Sequence, residues 1–120
     1  MKQTYQTGID GEKAAEDYLT GMGMTCLERR YKTKVGEIDL ILRDGETVVF
    51  VEVKARMTGD AGWGLMAVDG RKQKRVAQAA MMYLMRKKWT DQPVRFDVLE
   101  IRKEEILYVP NAFQPARLFY

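Results

Sequence analysis

At 120 residues the chain has room for one domain, 1–120, which on folding buries about two thirds of its extended surface. With 46% hydrophobic and 31% charged residues it has the make-up of an ordinary globule; no run approaches the roughly 18 apolar residues of a membrane span, and Met1-Lys2-Gln3-Thr4-Tyr5 lacks the apolar core of a secretion signal. It has no histidine, which excludes Ser-His-Asp and Cys-His catalysis and imidazole-bound zinc, and its one cysteine, Cys26, cannot form an internal disulfide, as suits a reducing cytoplasm.

A first helix is expected from about Asp10 to Gly21, with Ala14, Ala15, Tyr18, Leu19 and Met22 as its apolar stripe and Gly21 or Gly23 at its end. Glu12 lies at the margin of that stripe, on the side of Ala15 and Leu19, so it can lean toward a sheet. An acid near a helix N-terminus is also favourable on electrostatic grounds alone. Met24 to Tyr31 reads as an edge strand, and Arg29, Arg30, Lys32 and Lys34 form a basic cluster at its end.

The next two strands carry the most informative residues. Val35-Gly36-Glu37-Ile38-Asp39-Leu40-Ile41-Leu42 and Val48-Val49-Phe50-Val51-Glu52-Val53-Lys54 flank Arg43-Asp44-Gly45-Glu46, and Asp-Gly between hydrophobic runs signals a tight hairpin. With Asp44 and Gly45 as the turn, Arg43 faces Glu46, Leu40 faces Val49, Asp39 faces Phe50 and Glu37 faces Glu52. Alternation then puts Glu37, Asp39, Ile41, Val48, Phe50, Glu52 and Lys54 on one face, and Ile38, Leu40, Leu42, Val49, Val51 and Val53 on the other. Asp39 and Glu52 become diagonal neighbours, roughly 7 to 8 Å apart, near enough for both to grip one ion. Charges in valine-rich strands are costly unless something compensates them. A metal site does so, and in a chain without histidine its oxygen ligands favour Mg²⁺ or Mn²⁺.

After Arg56 a loop with Gly59, Gly62 and Gly64 is expected to be mobile, with Trp63 packed on the domain or stacked on a base. A second helix, capped by Asp69, runs to about Lys88, with Val76, Ala79, Ala80, Tyr83 and Leu84 facing the sheet and Lys72, Gln73 and Arg75 in its first turns. Met81, Met82 and Met85 broaden its apolar surface as core or subunit interface. Strands at Val94 to Ile101 and Ile106 to Val109 complete the sheet, with Asp97 paired to Arg95 or a backbone amide. Arg71, Lys72, Lys74, Arg75, Arg86, Lys87 and Lys88 fall in one stretch without an acid. Residues 1–60 hold nine Lys and Arg against eleven Asp and Glu, and residues 61–120 eleven against six, so the net +3 is a local surplus. Such clusters, on a chain whose acids gather at one site, suggest a polyphosphate backbone drawn toward a metal, although charge runs also serve simply to solvate a surface.

Asp39 followed by Glu52-Val53-Lys54 resembles the active site of the PD-(D/E)xK nucleases, the superfamily of many restriction enzymes and of archaeal Holliday junction resolvases. The more specific text is Gly11-Glu12-Lys13-Ala14-Ala15, Tyr18-Leu19, Gly36-Glu37-Ile38-Asp39-Leu40-Ile41, Phe50-Val51-Glu52-Val53-Lys54-Ala55-Arg56, Arg71-Lys72-Gln73, Ala79-Ala80, Tyr83-Leu84, Arg95-Phe96-Asp97-Val98 and Asn111-Ala112-Phe113. Together these are similar to the small YraN-like family of predicted bacterial endonucleases, from about Gly8 to Phe113. Arg30 departs from it, since the family more often has asparagine just before an aromatic residue there.

The resemblance implies an α/β fold with a restriction-endonuclease-like three-layer core, a mixed central sheet flanked by helices. It also implies a Mg²⁺- or Mn²⁺-dependent DNA endonuclease, and the likeness to resolvases suggests branched or flapped substrates cut by a homodimer. In these terms Asp39, Glu52, Lys54 and Glu12 are catalytic, while Asp39, Glu52, the Val53 carbonyl and Glu37 hold the metal. Arg30, Lys32, Lys34, Arg56, Arg71, Lys72, Gln73 and Arg75 are the candidate nucleic-acid contacts. Two other readings are a catalytically silent nucleic-acid-binding module, with Glu52 and Lys54 as a structural ion pair, and a protein-interaction piece of a larger assembly.

Overall fold

The structure, a computed structural model, describes residues 9–56, 70–102 and 105–115. Its elements in chain order are α1 (Ile9–Gly21), β1 (Thr25–Lys32), β2 (Glu37–Asp44), β3 (Thr47–Arg56), α2 (Gly70–Lys87), β4 (Val94–Arg102) and β5 (Glu105–Phe113). The expected Asp69 cap and the glycine-containing loop with Trp63 lie outside the described residues. No helix among the described residues is long and apolar enough to cross a membrane.

The five strands lie in the order β1-β2-β3-β4-β5. Only β3 and β4 run parallel, and the remaining neighbours are antiparallel. A parallel pair needs a crossover, and α2 provides it. One face of the sheet buries Leu40, Leu42, Val49, Val51, Leu99 and Ile101 against Ala15 and Leu19 of α1. The other buries Ile38, Ile41, Val48, Phe50 and Phe96 against Val76, Ala79, Ala80, Tyr83 and Leu84 of α2. The result is the expected three-layer α/β architecture, a mixed sheet between two helices of restriction-endonuclease-like arrangement. Met82 and Met85 do not extend this core, being 43% and 62% exposed on the outer side of α2.

The hairpin register departs from expectation. Asp44 pairs with Thr47, so the turn residues are Gly45 and Glu46, and the ladder continues as Arg43↔Val48, Leu42↔Val49, Ile41↔Phe50 and Leu40↔Val51. Gly45 has φ 63°, and a glycine at the first central position supplies the positive φ that a two-residue hairpin turn demands. Each β2 residue therefore faces a residue two further along β3 than expected. Parity survives such a shift, so the expected faces hold along the paired stretch from Leu40 to Val51. Glu37, however, is not opposite Glu52; its register partner is Lys32 on β1.

Ile38 also departs from the expected alternation, packing on the α2 side while Leu40 packs on the α1 side. The cause lies next door in β1, where Arg30 adopts φ 52°. Arg29, paired with Leu40, reaches Glu16 of α1, whereas Tyr31, paired with Ile38, meets Tyr83 of α2 edge-on at 5.1 Å. One left-handed residue thus turns the end of the strand over. Arginine adopts that conformation only at a steric cost, which asparagine would bear more easily.

Candidate active site

The β2–β3 ladder stops at Leu40↔Val51, while β3 continues against β4 as far as Arg56↔Arg102. Asp39 and Glu52 are the next residues along their strands, just beyond the last rung. The Asp39 side chain takes over the bonding there: the Val53 N–H donates to its Oδ2 at 2.7 Å. The backbone amide released where the strands part is thereby satisfied by a carboxylate.

Helices from both layers reach this place. Glu12 of α1 comes near enough to Asp39 for the two carboxyl groups to influence each other's ionisation. Glu52, 6% exposed, receives two ammonium groups on its Oε2, Lys54 Nζ at 3.4 Å and Lys72 Nζ at 2.5 Å, the latter from α2. Burial, reinforced by the Glu52 charge and then by Glu12, pushes the Asp39 carboxyl up to about 7 against the pull of the Val53 amide and Lys72. Burial also raises Glu12, with the charges of Glu37 and Glu52 adding to it and Arg30 opposing. Burial works against the Lys72 charge, yet the hydrogen bond and charge of Glu52, with Asp39 behind it, hold its ammonium above the ordinary lysine value. The cluster is therefore a buried group of acids whose charge the chain's own lysines offset. Among the described residues no three acids are disposed as a ready metal cage.

The expected residues fall into three groups. Asp39, Glu52, Lys54 and Glu12 come together, with Val53 beside them through its amide. Glu37 is exposed and contributes to the site by its charge on Glu12. Lys72, expected as a nucleic-acid contact, belongs to the site itself. One further acid was not expected: Glu100, fully buried, stands level with Lys54 in the parallel register and pairs with Arg102 at 3.8 Å. Its signal is present in Val98-Leu99-Glu100-Ile101, a charge inside an apolar strand like Glu52. Asp97 behaves as expected, accepting from Arg95 Nε and from the Asn111 amide, and in addition from the Tyr108 hydroxyl.

The basic residues divide as well. Arg29 is held by Glu16 in a two-pronged pair at 2.6 Å, and Arg30 Nε lies 3.7 Å from Glu12. Lys32, Lys34, Arg71 and Arg75 are exposed, Gln73 is half-buried, and the Arg56 side chain is outside the described residues. The β1–β2 loop sits directly on α2, because a Cβ at Gly36 would lie 2.8 Å from the Arg75 carbonyl oxygen. That contact brings the loop carrying Lys34 against the turn of α2 carrying Arg75, and both residues are exposed there. Arg86 and Lys87 lie elsewhere, about 20 Å along the helix, over the rings of Tyr31, Tyr83 and Trp89.

A mixed sheet layered between helices, with an aspartate on one strand and Glu-x-Lys on the next meeting where the strands part, defines a protein of the PD-(D/E)xK-like class. The chain belongs to the Uncharacterised protein family UPF0102, whose profile matches residues 11–101 and which is the YraN-like family that its motifs resemble. It is 43% identical over 109 residues to a UPF0102 protein of Alkalilimnicola ehrlichii, covering 90% of this chain and 86% of that one. A UPF0102 protein of Geobacter metallireducens is 40% identical over 113 residues, 91% of this chain and 93% of its own length. One of Pseudomonas putida is 38% identical over 115 residues, with 91% and 94% covered.

Proposed function

We propose that the chain is a metal-dependent endonuclease that hydrolyses phosphodiester bonds in DNA, with branched or flapped structures as its substrates. The observation that carries this is the convergence of Asp39, Glu52, Lys54 and Glu12 at the end of the β2–β3 ladder. The donors suit Mg²⁺ or Mn²⁺: they are hard carboxylate oxygens whose mutual repulsion a cation relieves, and Mg²⁺ commonly takes only one or two protein carboxylates, completing its shell from water and phosphate. Asp39, Glu52 and the Val53 carbonyl hold the ion, with Glu12 and Glu37 lending negative charge around it.

When bound, the ion supplies charge neutralisation at the phosphate oxygens and makes water a better nucleophile. Lys54, on the same strand as Glu52 and 3.4 Å from its carboxylate, orients or deprotonates the attacking water and stabilises the charge that grows on the phosphate. Arg30, Lys32, Lys34, Arg71, Gln73 and Arg75, with Arg56, hold the phosphodiester backbone over the acids. Two such sites in a homodimer address the two strands of a branched substrate. The free Cys26 thiol fits a cytoplasmic protein.

The test is incubation of the purified protein with linear, nicked, flapped and four-way DNA in Mg²⁺ and Mn²⁺, beside Lys54→Ala. Cleavage by the wild type alone is the expected result. A second reading is a silent nucleic-acid-binding module. It is favoured by the internal satisfaction of the cluster, with Glu52 paired to Lys54 and Lys72 and Asp39 bonded to Val53. DNA binding without cleavage, and melting temperatures indifferent to Mg²⁺ and Mn²⁺, are what that module gives.

A further inference from the structure

We propose that Lys72 is the internal counter-ion of Glu52, which an incoming divalent cation must displace, so that the second helix competes with the metal for the site. The inference rests on Glu52 being a metal ligand, as proposed for the nuclease. Its carboxylate is almost wholly removed from water, and an isolated charge there would be strongly disfavoured. The compensating charge comes from Lys72, on a helix 38% open to solvent at that side chain, at 2.5 Å from Oε2. Lys54 stands at 3.4 Å from the same oxygen. Both ammonium groups therefore crowd the same oxygen, with Lys72 the nearer.

The two lysines are not equivalent. Lys54 is fixed to β3 two residues from Glu52, and its backbone is held by the parallel ladder to β4, where it stands level with Glu100. Lys72 projects from the first turns of α2, with a flexible stem and a partly exposed head, and can leave without disturbing the sheet. The ammonium that yields to a cation is therefore that of Lys72. A lysine whose only task was to hold phosphate would gain nothing from being drawn onto a buried carboxylate.

The experiment measures Mn²⁺ binding by the loss of the free-ion paramagnetic resonance signal, for the wild type, Lys72→Gln and Lys72→Met, with thermal melting of each protein as a check of folding. The expected result has two parts. Without metal both variants melt below the wild type, because Glu52 has lost a counter-charge. Both bind Mn²⁺ at least about fivefold more tightly, the lower end of ordinary coupling between competing ligands. A purely structural lysine gives the first effect and not the second. Folded variants that bind Mn²⁺ as the wild type does, or more weakly, overturn the counter-ion assignment and leave Glu52 as a ligand. Folded wild type and variants that bind no Mn²⁺ overturn the metal reading of Glu52 itself, and the assignment with it.

Discussion

The carboxylate of Asp39 accepts the amide hydrogen of Val53 at 2.7 Å, bridging the two central strands at the point where their own ladder has ended. One side chain thus closes the sheet and faces the acids of the site. In the metal-free protein it is poorly placed as an anion, since burial and Glu52 lift its pKa from the ordinary 3.8 to about 7. The folded state then holds a proton that the unfolded chain releases, so its contribution to stability is complete below about pH 4 and is lost as the pH rises through about 7. Without metal, wild-type stability relative to Asp39→Asn should fall across that window, as denaturant titrations at a series of pH values will record.

Adding Mg²⁺ or Mn²⁺ should reverse this loss. The melting temperature of the wild type is expected to rise with metal at neutral pH, as for any ligand that binds only the folded state. Asp39→Ala should abolish the rise. Calorimetry of both proteins with and without metal measures it.

Lys54→Ala should lower the cleavage rate by about 100- to 10,000-fold, the usual range for loss of a positioned proton-transfer group. DNA affinity measured in Ca²⁺ should change little, because Lys54 sits on Glu52 inside the site and not among the exposed basic residues. Single-turnover cleavage and filter binding separate the two effects.

Gly36 is required by the close approach of the β1–β2 loop to α2. In Gly36→Ala the new methyl meets backbone, the Arg75 carbonyl at 2.8 Å, and cannot be relieved by a side-chain rotation. The expected cost is about 1–3 kcal/mol, typical of overpacking. Gly21→Ala, at the end of α1 with nothing within 4 Å, should be neutral or stabilising by up to about 1 kcal/mol. Urea unfolding of the pair tests both.

The basic residues near the site should be distinguishable from those at the far end of α2 by salt. Lys34→Ala or Arg71→Ala should reduce the slope of log affinity for DNA against log salt by about 0.9 for each phosphate no longer neutralised. Lys87→Ala should leave the slope unchanged, since its ammonium lies over Tyr83 and Trp89.

Much of the fold was legible because apolar spacing is local. Val76, Ala79, Ala80, Tyr83 and Leu84 recur at helical intervals, and all are buried on the sheet. Glu52 announced itself as a charge in a valine run. The hairpin was legible as a hairpin, but Asp44-Gly45 and Gly45-Glu46 are both acceptable turns, and choosing between them shifts every cross-strand partner by two residues while preserving the faces of the paired stretch from Leu40 to Val51. Arg30 gave no sign that its backbone would be left-handed, because arginine has no preference for that conformation.

By itself the sequence determined which side chains carry charge into the sheet and which elements bear them, because both follow from periods of two and 3.6 residues. Only the tertiary structure decided what those charges meet. Lys72 is remote from Glu52 in the chain and reaches it because α2 crosses from β3 to the parallel strand β4; Glu12 reaches Asp39 because α1 packs on the opposite face. Electrostatic contact depends on distance in space, and no pattern along the chain specifies where two packed layers bring their charges together.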